Sequence, residues 1–217
     1  MTEKPFVTLK LAQTLDGCIA TTQGDSKWIT SETSRAKGHQ LRAQVDAILV
    51  GANTVRADDP ELSVRLVTGN SPTKIVLDSQ LDIATEAKVF NGAPLILVAA
   101  EGVSKDRIRA REDVGAQVWE VARLANGHLD FRAILVRAKK VGVRTVLIEG
   151  GSKVAASALQ AQVVDRLVVF IAPKILGVGL PAVGALGFQR IADAIQLCDV
   201  QVECVGDDLM YTANLKK

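Results

Sequence analysis

The stretch DAILVGANTVRADDPELSVR, residues 46–65, decides the fold, because it runs from a buried strand directly into a group of polar residues. Residues 47–50, AILV, are short, apolar and β-prone, which is typical of a strand covered on both faces. Gly51 ends the strand and allows a tight turn or a close approach to a ligand. Asn53 and Thr54 then start a short helical turn, whose free N–H groups favour an anion. This order predicts an α/β fold with a nucleotide or phosphate site.

The second half of the stretch adds charges and one apolar residue. Pro60 pushes Asp59 out of the helical region, so the turn should stop at Asp58. Two adjacent carboxylates repel each other unless water, a donor or a ligand hydroxyl spreads their charge. Leu62 and Arg65 follow at alternating spacing, which predicts an extended segment carrying an apolar contact and a cation to the same place. An ordinary strand, turn and solvated acidic corner remains the alternative.

Length and composition indicate one α/β domain. A chain of 217 residues is long enough for one sizeable domain and short for two, so we expect a single domain over residues 1–217. A hydrophobic fraction of 48% and a mean hydropathy of +0.20 fit a well-buried core. An aromatic fraction of 4%, a net charge of +2 and the lack of a Lys/Arg run argue against nucleic acid as a partner.

Cysteine usage and the N-terminal sequence predict a cytoplasmic protein. Cys18, Cys198 and Cys204 form no CxxC pair and have no flanking His, so we expect reduced thiols and no metal site. Residues 1–12 have no apolar core long enough for a signal peptide, and no 18-residue apolar run occurs. We therefore expect a soluble chain with no membrane association.

Strand and helix patterns alternate, which predicts a mostly parallel central sheet with helices on both faces. The predicted strands are residues 5–12, 46–50, 73–77, 95–99, 116–121, 145–148, 167–172, 196–205 and 209–215. The predicted helix caps are Thr30 or Ser31, Ser104, Asp130 and Ser152. Residues 206–208, GDD, fit a hairpin loop, so the sheet should end antiparallel. Gly177–Gly187 is interpreted as a mobile connection, with a pocket rim as a second role.

Five side chains fit either a site or the fold alone. Lys10 points away from the apolar face of its strand, as an edge-strand gatekeeper or a charge aimed into a site would. Trp28 covers either the core or a flat ligand ring. His39 is interpreted as a solvated residue of a surface helix. Trp119 and His128 are interpreted as structural.

A second strand, glycine turn and helix start lies at residues 145–159. Glu149 ends the strand at the edge where open α/β sheets bind ligands, and a buried carboxylate there needs a partner. Gly150 and Gly151 allow a nest of N–H groups for a diphosphate, and Ser152 suits a helix cap. A helix start without any ligand would use the same residues, and the pattern is not the GxGxxG fingerprint.

At this point the chain resembles the reductase domain of the bifunctional riboflavin-biosynthesis deaminase/reductase, which has a dihydrofolate-reductase-like fold. The resemblance rests on the order and spacing of VTLKLAQTLDG, SKWIT, LRAQVDAILVGANTVRADDPELSVR, KIVLDS, VLIEGG, VDRLVVFIAPKILG and VGDDLMYTANL, over nearly the whole length. It implies reduction of the ribosyl group of 5-amino-6-(5-phosphoribosylamino)uracil to a ribityl chain with NADPH, by a homodimer.

The resemblance also implies which residues line the two ligands. Those along NADPH would be Ala12, Trp28, Thr54, Asp58, Ser79, Gly151, Ser152, Lys153, Val154, Ala155, Ala156 and Ser157. Those along the substrate would be Lys10, Ser26, Arg42, Leu62, Arg65 and Glu149. The chemistry agrees in kind, because two arginines suit a phosphate monoester and nested N–H groups suit a diphosphate. As a catalytic hypothesis, Lys10 and Glu149 grip the sugar hydroxyls and one of them helps protonate the ring oxygen, with Asp58 as the alternative donor.

The chain departs from the bifunctional pattern, because it lacks the HxE and PCxxC signature of the zinc deaminase. We therefore expect a metal-free reductase alone. Stand-alone reductases of this type can act before deamination, on the 2,5-diamino pyrimidinone, whereas the flanking motifs here favour the uracil. A dihydrofolate or pterin reductase is a second reading, which the two arginines disfavour. A nucleotide-binding module without chemistry is a third, which Lys10 and Glu149 disfavour.

Overall fold

Eleven strands and five helices are present in residues 3–216, the part of the chain that a computed structural model describes. The strands are β1 (Phe6–Thr14), β2 (Cys18–Thr21), β3 (Ala47–Gly51), β4 (Thr73–Leu77), β5 (Leu95–Ala100), β6 (Gln117–Val121), β7 (Thr145–Ile148), β8 (Arg166–Ala172), β9 (Gly179–Pro181), β10 (Leu197–Val205) and β11 (Asp208–Leu215). The helices are α1 (Glu32–Ala43), α2 (Ala52–Asp58), α3 (Lys105–Glu112), α4 (Phe131–Lys140) and α5 (Ser152–Gln160). The domain that we predict over residues 1–217 includes residues 1, 2 and 217, which lie outside the described part.

The large sheet has the strand order β10-β11-β8-β1-β7-β3-β4-β5-β6. Neighbouring strands from β8 to β6 in this order pair in parallel. Strand β11 runs antiparallel to β8, and β10 runs antiparallel to β11. The predicted mostly parallel sheet with an antiparallel C-terminal hairpin is confirmed.

Both faces of the central strands are buried. Ala47 and Leu49 of β3 belong to a core cluster that includes residues of α4 and α5. Ile48 and Val50, on the opposite face, belong to a second cluster that includes residues of α2. Successive side chains of the strand point to opposite faces, and both faces are buried, so the sequence of the strand is continuously apolar. The predicted helices on both faces are also confirmed.

The helix starts follow the predicted caps with one exception. Ser31, Ser104 and Asp130 each accept a hydrogen bond from a backbone N–H group in the first turn of their helix. Helix α5 instead has Gly151 as its N-cap, and Ser152 is its first helical residue and is buried. The prediction of Ser152 as a cap is wrong, because the chain enters the helix one residue earlier.

Strands β2 and β9 were not predicted. They pair antiparallel in a separate two-stranded sheet. Strand β9 lies inside Gly177–Gly187, where the sequence predicted only a mobile connection. The strands have four and three residues, which is too short for a periodic pattern to identify.

The segment after α2 is not the extended piece that the sequence predicted. Helix α2 ends at Asp58, and Asp59 adopts a left-handed conformation with φ 42°, so the predicted stop before Pro60 is correct. Leu62 is also left-handed, with φ 55°, and its side chain is buried in the second core cluster. A left-handed residue interrupts strand alternation, so Leu62 and Arg65 do not lie on one strand.

The C-terminal hairpin is tied to the start of α1 through Asp208. Its Oδ2 accepts hydrogen bonds from Ser31 N (2.8 Å), Ser31 Oγ (2.7 Å) and Ser34 Oγ (2.5 Å). Burial raises the pKa of Asp208, but these hydrogen bonds outweigh that effect and the pKa is lowered. The hairpin therefore helps to position α1, which carries His39 and Arg42.

Among residues 3–216 no helix has the length and apolar character needed to cross a membrane. In the same residues His, Cys, Asp and Glu form no group of three or more that could hold a metal ion. Cys18, Cys198 and Cys204 are free cysteines.

Candidate active site

A cleft of about 680 Å³ opens at the sheet edge where β3, β4 and β7 end. Open α/β sheets bind ligands at this edge, and the volume lies in the range of cofactor sites, roughly 300–1,000 Å³. Nine of the residues predicted for the two ligands line the cleft: Ser26, Thr54, Asp58, Ser79, Gly151, Ser152, Lys153, Val154 and Ser157. The two strand-turn-helix units that the sequence singled out therefore share one cavity.

Four residues predicted along the cofactor are not among those lining the cleft. Ala155 and Ala156 are buried, and Ala155 packs in the first core cluster. Ala12 lies on β1 opposite Phe170 of β8. Trp28 is 63% exposed and stacks on Arg35, with 4.4 Å between the guanidinium carbon and the ring centroid. Of the two interpretations of Trp28, the structure excludes the one in which it covers the core.

Glycines let the two turns of the cleft approach each other closely. A Cβ atom on Gly51 or Gly150 would lie 2.7 or 2.6 Å from Val154 side-chain atoms, and one on Gly151 would lie 3.5 Å from Thr54 Oγ1. As the N-cap of α5, Gly151 has no side chain to bond the first N–H groups of the helix. The positive end of α5 is therefore open to an anion, and this cradle fits the diphosphate of a dinucleotide.

One side of the cleft carries a partly exposed arginine. Arg56 Nη1 donates to Asn53 Oδ1 at 2.8 Å, and Nη2 lies 3.7 Å from Asp78 Oδ1 and 3.8 Å from Asp82 Oδ2. Its side chain is 43% exposed, and Ser79 lines the same cleft. A phosphate that entered here would meet the guanidinium of Arg56, because only the guanidinium, and not the carboxylates of Asp78 and Asp82, can donate to a phosphate.

His128, for which we predicted a structural role, also lines the cleft. It lines the cavity from the exposed turn before α4, and its Nδ1 lies 3.3 Å from Ser157 Oγ. Sequence analysis missed it because a polar loop gives no periodic signal. Trp119, in contrast, is fully buried beneath Arg137, so its predicted structural role is confirmed.

Glu149 gathers two cations at the end of β7. Arg42 donates from Nε to Oε1 at 2.8 Å and from Nη2 to Oε2 at 2.9 Å, and Lys10 Nζ lies 3.7 Å from Oε2. The Glu149 side chain is only 10% exposed. The partner that we predicted for this buried carboxylate is Arg42, which forms a bidentate ion pair with it. The third nitrogen of Arg42, Nη1, donates to the carbonyl of Ser63 at 3.2 Å. Each of the three guanidinium nitrogens of Arg42 therefore donates a hydrogen bond to a protein group.

The charge state of Glu149 restricts its chemistry. Burial alone would raise its pKa, but the charges of Arg42 and then Lys10, with the Arg42 hydrogen bonds, outweigh burial and lower the pKa to about 2. Glu149 is therefore a carboxylate at neutral pH and holds no proton to donate. Of the two residues in the catalytic hypothesis, only the Lys10 ammonium carries a proton.

His39 is a buried residue, not the solvated one that the sequence predicted. It is 6% exposed, and its Nδ1 accepts the backbone N–H of Arg65 at 3.2 Å. Burial and then the charges of Arg42 and Arg65 lower its pKa to about 4. The prediction failed because the helix face that carries His39 is covered by residues 61–65, a segment without regular structure that periodicity does not reveal.

Arg65 and Leu62 occupy different environments on that segment. The Arg65 side chain is 57% exposed, with Nη1 3.6 Å from Glu61 Oε2. Leu62 is 3% exposed, so a ligand would meet its backbone and not its side chain. The charges of Arg65, Glu149 and Lys10 all act on His39, which places the three predicted substrate residues around one point of α1.

The sequence matches the RibD C-terminal domain over residues 5–211, nearly the whole chain. The chain belongs to the RibD C-terminal domain family. A relative from Aquifex aeolicus, the riboflavin biosynthesis protein RibD, is 41% identical over 211 residues, or 96% of this chain and 57% of that protein. The chain thus spans little more than half the length of the first relatives it matches.

One relative in the RibD C-terminal domain group has a similar length to this chain. The 2,5-diamino-6-ribosylamino-4(3H)-pyrimidinone 5′-phosphate reductase of Methanothermobacter thermautotrophicus is 35% identical over 220 residues. The alignment covers 98% of this chain and 99% of that protein.

Solved structures of RibD proteins have the same fold. Acinetobacter baumannii RibD superposes with a TM-score of 0.85 and 26% identity, over 100% of this chain and 59% of that one. Dihydrofolate reductase from Enterococcus faecalis superposes with a TM-score of 0.56 and 15% identity, over 98% of this chain and 97% of that one. The predicted dihydrofolate-reductase-like fold is confirmed.

Proposed function

We propose that this chain catalyses the NADPH-dependent reduction of the ribosyl group of 5-amino-6-(5-phosphoribosylamino)uracil to a ribityl chain. The observation that carries the proposal is the Lys10–Glu149–Arg42 cluster at the end of β7, where Glu149 lies two residues before Gly151, which lines the cleft. Family membership supports a reductase of riboflavin biosynthesis, and the relative of matching length is named as one. The 2,5-diamino pyrimidinone that appears in its name is the second candidate substrate.

In the proposed site the sugar lies beside the Lys10–Glu149 ion pair, within reach of both side chains. The Lys10 ammonium donates a proton to the ring oxygen as the C1′–O bond breaks, and the lone pair of the exocyclic nitrogen forms a protonated imine with C1′ that keeps its N–H. The Glu149 carboxylate accepts a hydrogen bond from a sugar hydroxyl and keeps the ammonium in place. When bound, NADPH supplies the hydride for C1′. Asp58, a cleft residue with an exposed side chain, remains the alternative proton donor.

The phosphate end of the substrate is assigned to Arg65. Its guanidinium is more than half exposed, whereas Arg42 is already forked on Glu149 and bonded to Ser63. Three of the five N–H donors of Arg42 are already used in these contacts, so its first role in the proposal is to orient Glu149. Arg65 can offer its two terminal nitrogens to a phosphate monoester.

The cofactor assignment to NADPH rests on Arg56 and Ser79, which would bind the 2′-phosphate at their side of the cleft. Arg56→Gln should raise the KM for NADPH about tenfold and leave the KM for NADH within about twofold, because only NADPH carries the extra phosphate. Exposed Arg109→Gln on α3 is the matched control. An equal rise in the KM for NADPH and for NADH would show that Arg56 does not bind the 2′-phosphate.

The remaining parts of the proposal concern the state of the protein. Resemblance to the family supports a homodimer, and the free cysteines Cys18, Cys198 and Cys204 support a cytoplasmic location. Sedimentation and fractionation test the two statements. Small-molecule substrates, and not nucleic acid or membrane, are the proposed partners.

The function is tested by following NADPH consumption together with product mass. We expect turnover with the ribosylaminouracil phosphate, slower turnover with the diamino pyrimidinone, and none with dihydrofolate or without substrate. Faster reduction of the diamino compound would reverse the order of the two substrates. Reduction of dihydrofolate alone would replace the proposal by a pterin reductase, and no oxidation with any compound would indicate a nucleotide-binding module.

A further inference from the structure

Residues 61–65, which carry Arg65, are held in place by side chains and not by a strand. Arg42 Nη1 donates to the carbonyl of Ser63 at 3.2 Å, and Ser71 Oγ accepts the N–H of Val64 at 3.0 Å. The third contact is the hydrogen bond from Arg65 N to His39 Nδ1, at 3.2 Å. It is the one that joins α1 directly to the backbone of the arginine itself.

The hydrogen bond defines the state of the His39 ring. A backbone N–H can only donate, so Nδ1 must be unprotonated and the ring proton of the neutral form lies on Nε2. Four charged groups face the ring: Arg42 on the same helix, Arg65 on the covering segment, Lys10 on β1 and Glu149 after β7. Three of them are cations, so a second ring proton is disfavoured and the acceptor is preserved at neutral pH.

We propose that His39 is a positioning residue for the phosphate end of the substrate: its neutral ring fixes the backbone of Arg65, and thereby the point at which the guanidinium meets the phosphate. The inference deepens the proposed function and rests on it for the assignment of Arg65. His39 touches neither substrate nor cofactor in this account. Its variants should therefore alter recognition of the phosphate and spare the chemical step.

The shapes of Asn and Gln provide a matched pair of variants. The Asn Oδ1 reaches the place of Nδ1, whereas the Gln amide reaches the place of Nε2, so His39→Asn keeps the acceptor and His39→Gln removes it. His39→Gln should raise the KM for the 5′-phosphorylated substrate about tenfold, because the backbone N–H of Arg65 loses its partner. Its kcat and its KM for NADPH should stay within about twofold of wild type.

Three comparisons separate positioning from a general structural defect. His39→Asn should restore the KM for the phosphorylated substrate to within about threefold of wild type. The dephosphorylated substrate should be bound equally by wild type and His39→Gln, because the phosphate contact is absent. Gln40→Leu, a change at the exposed neighbouring position of α1, should behave as wild type.

Hydrogen exchange gives a readout that does not need turnover. The Arg65 amide should exchange about tenfold faster in His39→Gln than in wild type and near the wild-type rate in His39→Asn. If the wild-type protein reduces no substrate, the proposed function fails. The exchange rates still show whether His39 holds the backbone N–H of Arg65. Unchanged Arg65 exchange in His39→Gln, or an equal rise in KM for phosphorylated and dephosphorylated substrates, would overturn the role of His39.

Discussion

At the scale of single residues, Glu149 has the environment that most restricts its role. A carboxylate that is 10% exposed is stable there because Arg42 and Lys10 share its charge. The same ion pairs that keep it ionised prevent it from acting as an acid near neutral pH. In the proposed function, proton transfer is therefore assigned to Lys10, and the carboxylate orients the ammonium and the sugar.

Substitutions of this pair should affect turnover and not cofactor binding. Lys10→Met should lower kcat at least about 100-fold through loss of the proton donor, and Glu149→Gln about 100-fold through loss of the charge that holds Lys10. Binding of NADPH, measured by fluorescence titration, should change by less than about threefold, because neither residue lines the cleft.

Lys37→Met is the control for the lysine substitution. Lys37 is an exposed residue of α1 that pairs with Glu203 at 3.4 Å, so its replacement should leave turnover unchanged. Wild-type kcat in both Lys10→Met and Glu149→Gln would refute the proposed chemistry and move the proton donor to Asp58.

His39 gives the protein a predictable sensitivity to acid. Its pKa of about 4 in the folded protein lies below the ordinary 6.5, so between these values the unfolded chain binds a proton that the folded protein does not. Stability should therefore fall as pH drops from 6.5 towards 4. His39 alone should make the free energy of unfolding about 2 kcal/mol lower at pH 5 than at pH 7.

The measurement is urea unfolding at pH 7 and at pH 5. His39→Asn keeps the contact with Arg65 and cannot titrate, so the difference between the two pH values should shrink in this variant. Glu149 acts in a lower window, because its stabilisation is present above pH 4.5 and is lost towards pH 2. An equal pH dependence in wild type and His39→Asn would contradict the buried, neutral state of His39.

At the scale of elements, the turn from β7 into α5 contains two adjacent glycines with different surroundings. A Cβ atom on Gly150 would lie 2.6 Å from Val154 Cβ, inside the fold. One on Gly151 would meet only Thr54 Oγ1, at 3.5 Å, between the two walls of the cleft. We therefore expect the first position to affect stability and the second to affect binding of the proposed cofactor.

Alanine substitutions should show this division. Gly150→Ala should cost about 1–3 kcal/mol of unfolding free energy, because it overpacks the core against α5. Gly151→Ala should weaken NADPH about tenfold and cost less than about 1 kcal/mol, because its methyl group takes the space where the backbone approaches the diphosphate. Urea unfolding and fluorescence titration measure the two effects. The reverse pattern would place the diphosphate elsewhere.

Sequence patterns predicted the long elements well and the irregular segments poorly. The buried strand from Ala47 and the capped helix after Asp130 follow from apolar periodicity, which depends on contacts every two or three to four residues. The left-handed Leu62 and the burial of His39 depend on contacts between segments distant in sequence, which no local pattern encodes. The sequence therefore predicted the glycine turns that line the cleft, but it did not predict the contact between α1 and residues 61–65.

At the scale of the whole molecule, the strand order brings distant parts of the chain to one edge of the sheet. Strand β7 lies between β1 and β3, so Glu149 arrives beside Lys10 and the turn at Gly51. The C-terminal hairpin, through Asp208, fixes the start of the helix that carries Arg42 and His39. The cleft and the Lys10–Glu149–Arg42 cluster therefore lie near each other, although each is built from residues far apart in the sequence.

In the proposed function the sugar phosphate lies against Lys10, Glu149 and Arg65, while the dinucleotide fills the cleft. A crystal structure of the protein soaked with NADP⁺ and ribose 5-phosphate tests this directly. We expect the phosphate in hydrogen-bonding contact with Arg65, the sugar hydroxyls in hydrogen-bonding contact with Lys10 and Glu149, and the nicotinamide ring facing the sugar. A sugar phosphate bound away from Arg65, Lys10 and Glu149, with the dinucleotide in the cleft, would contradict it.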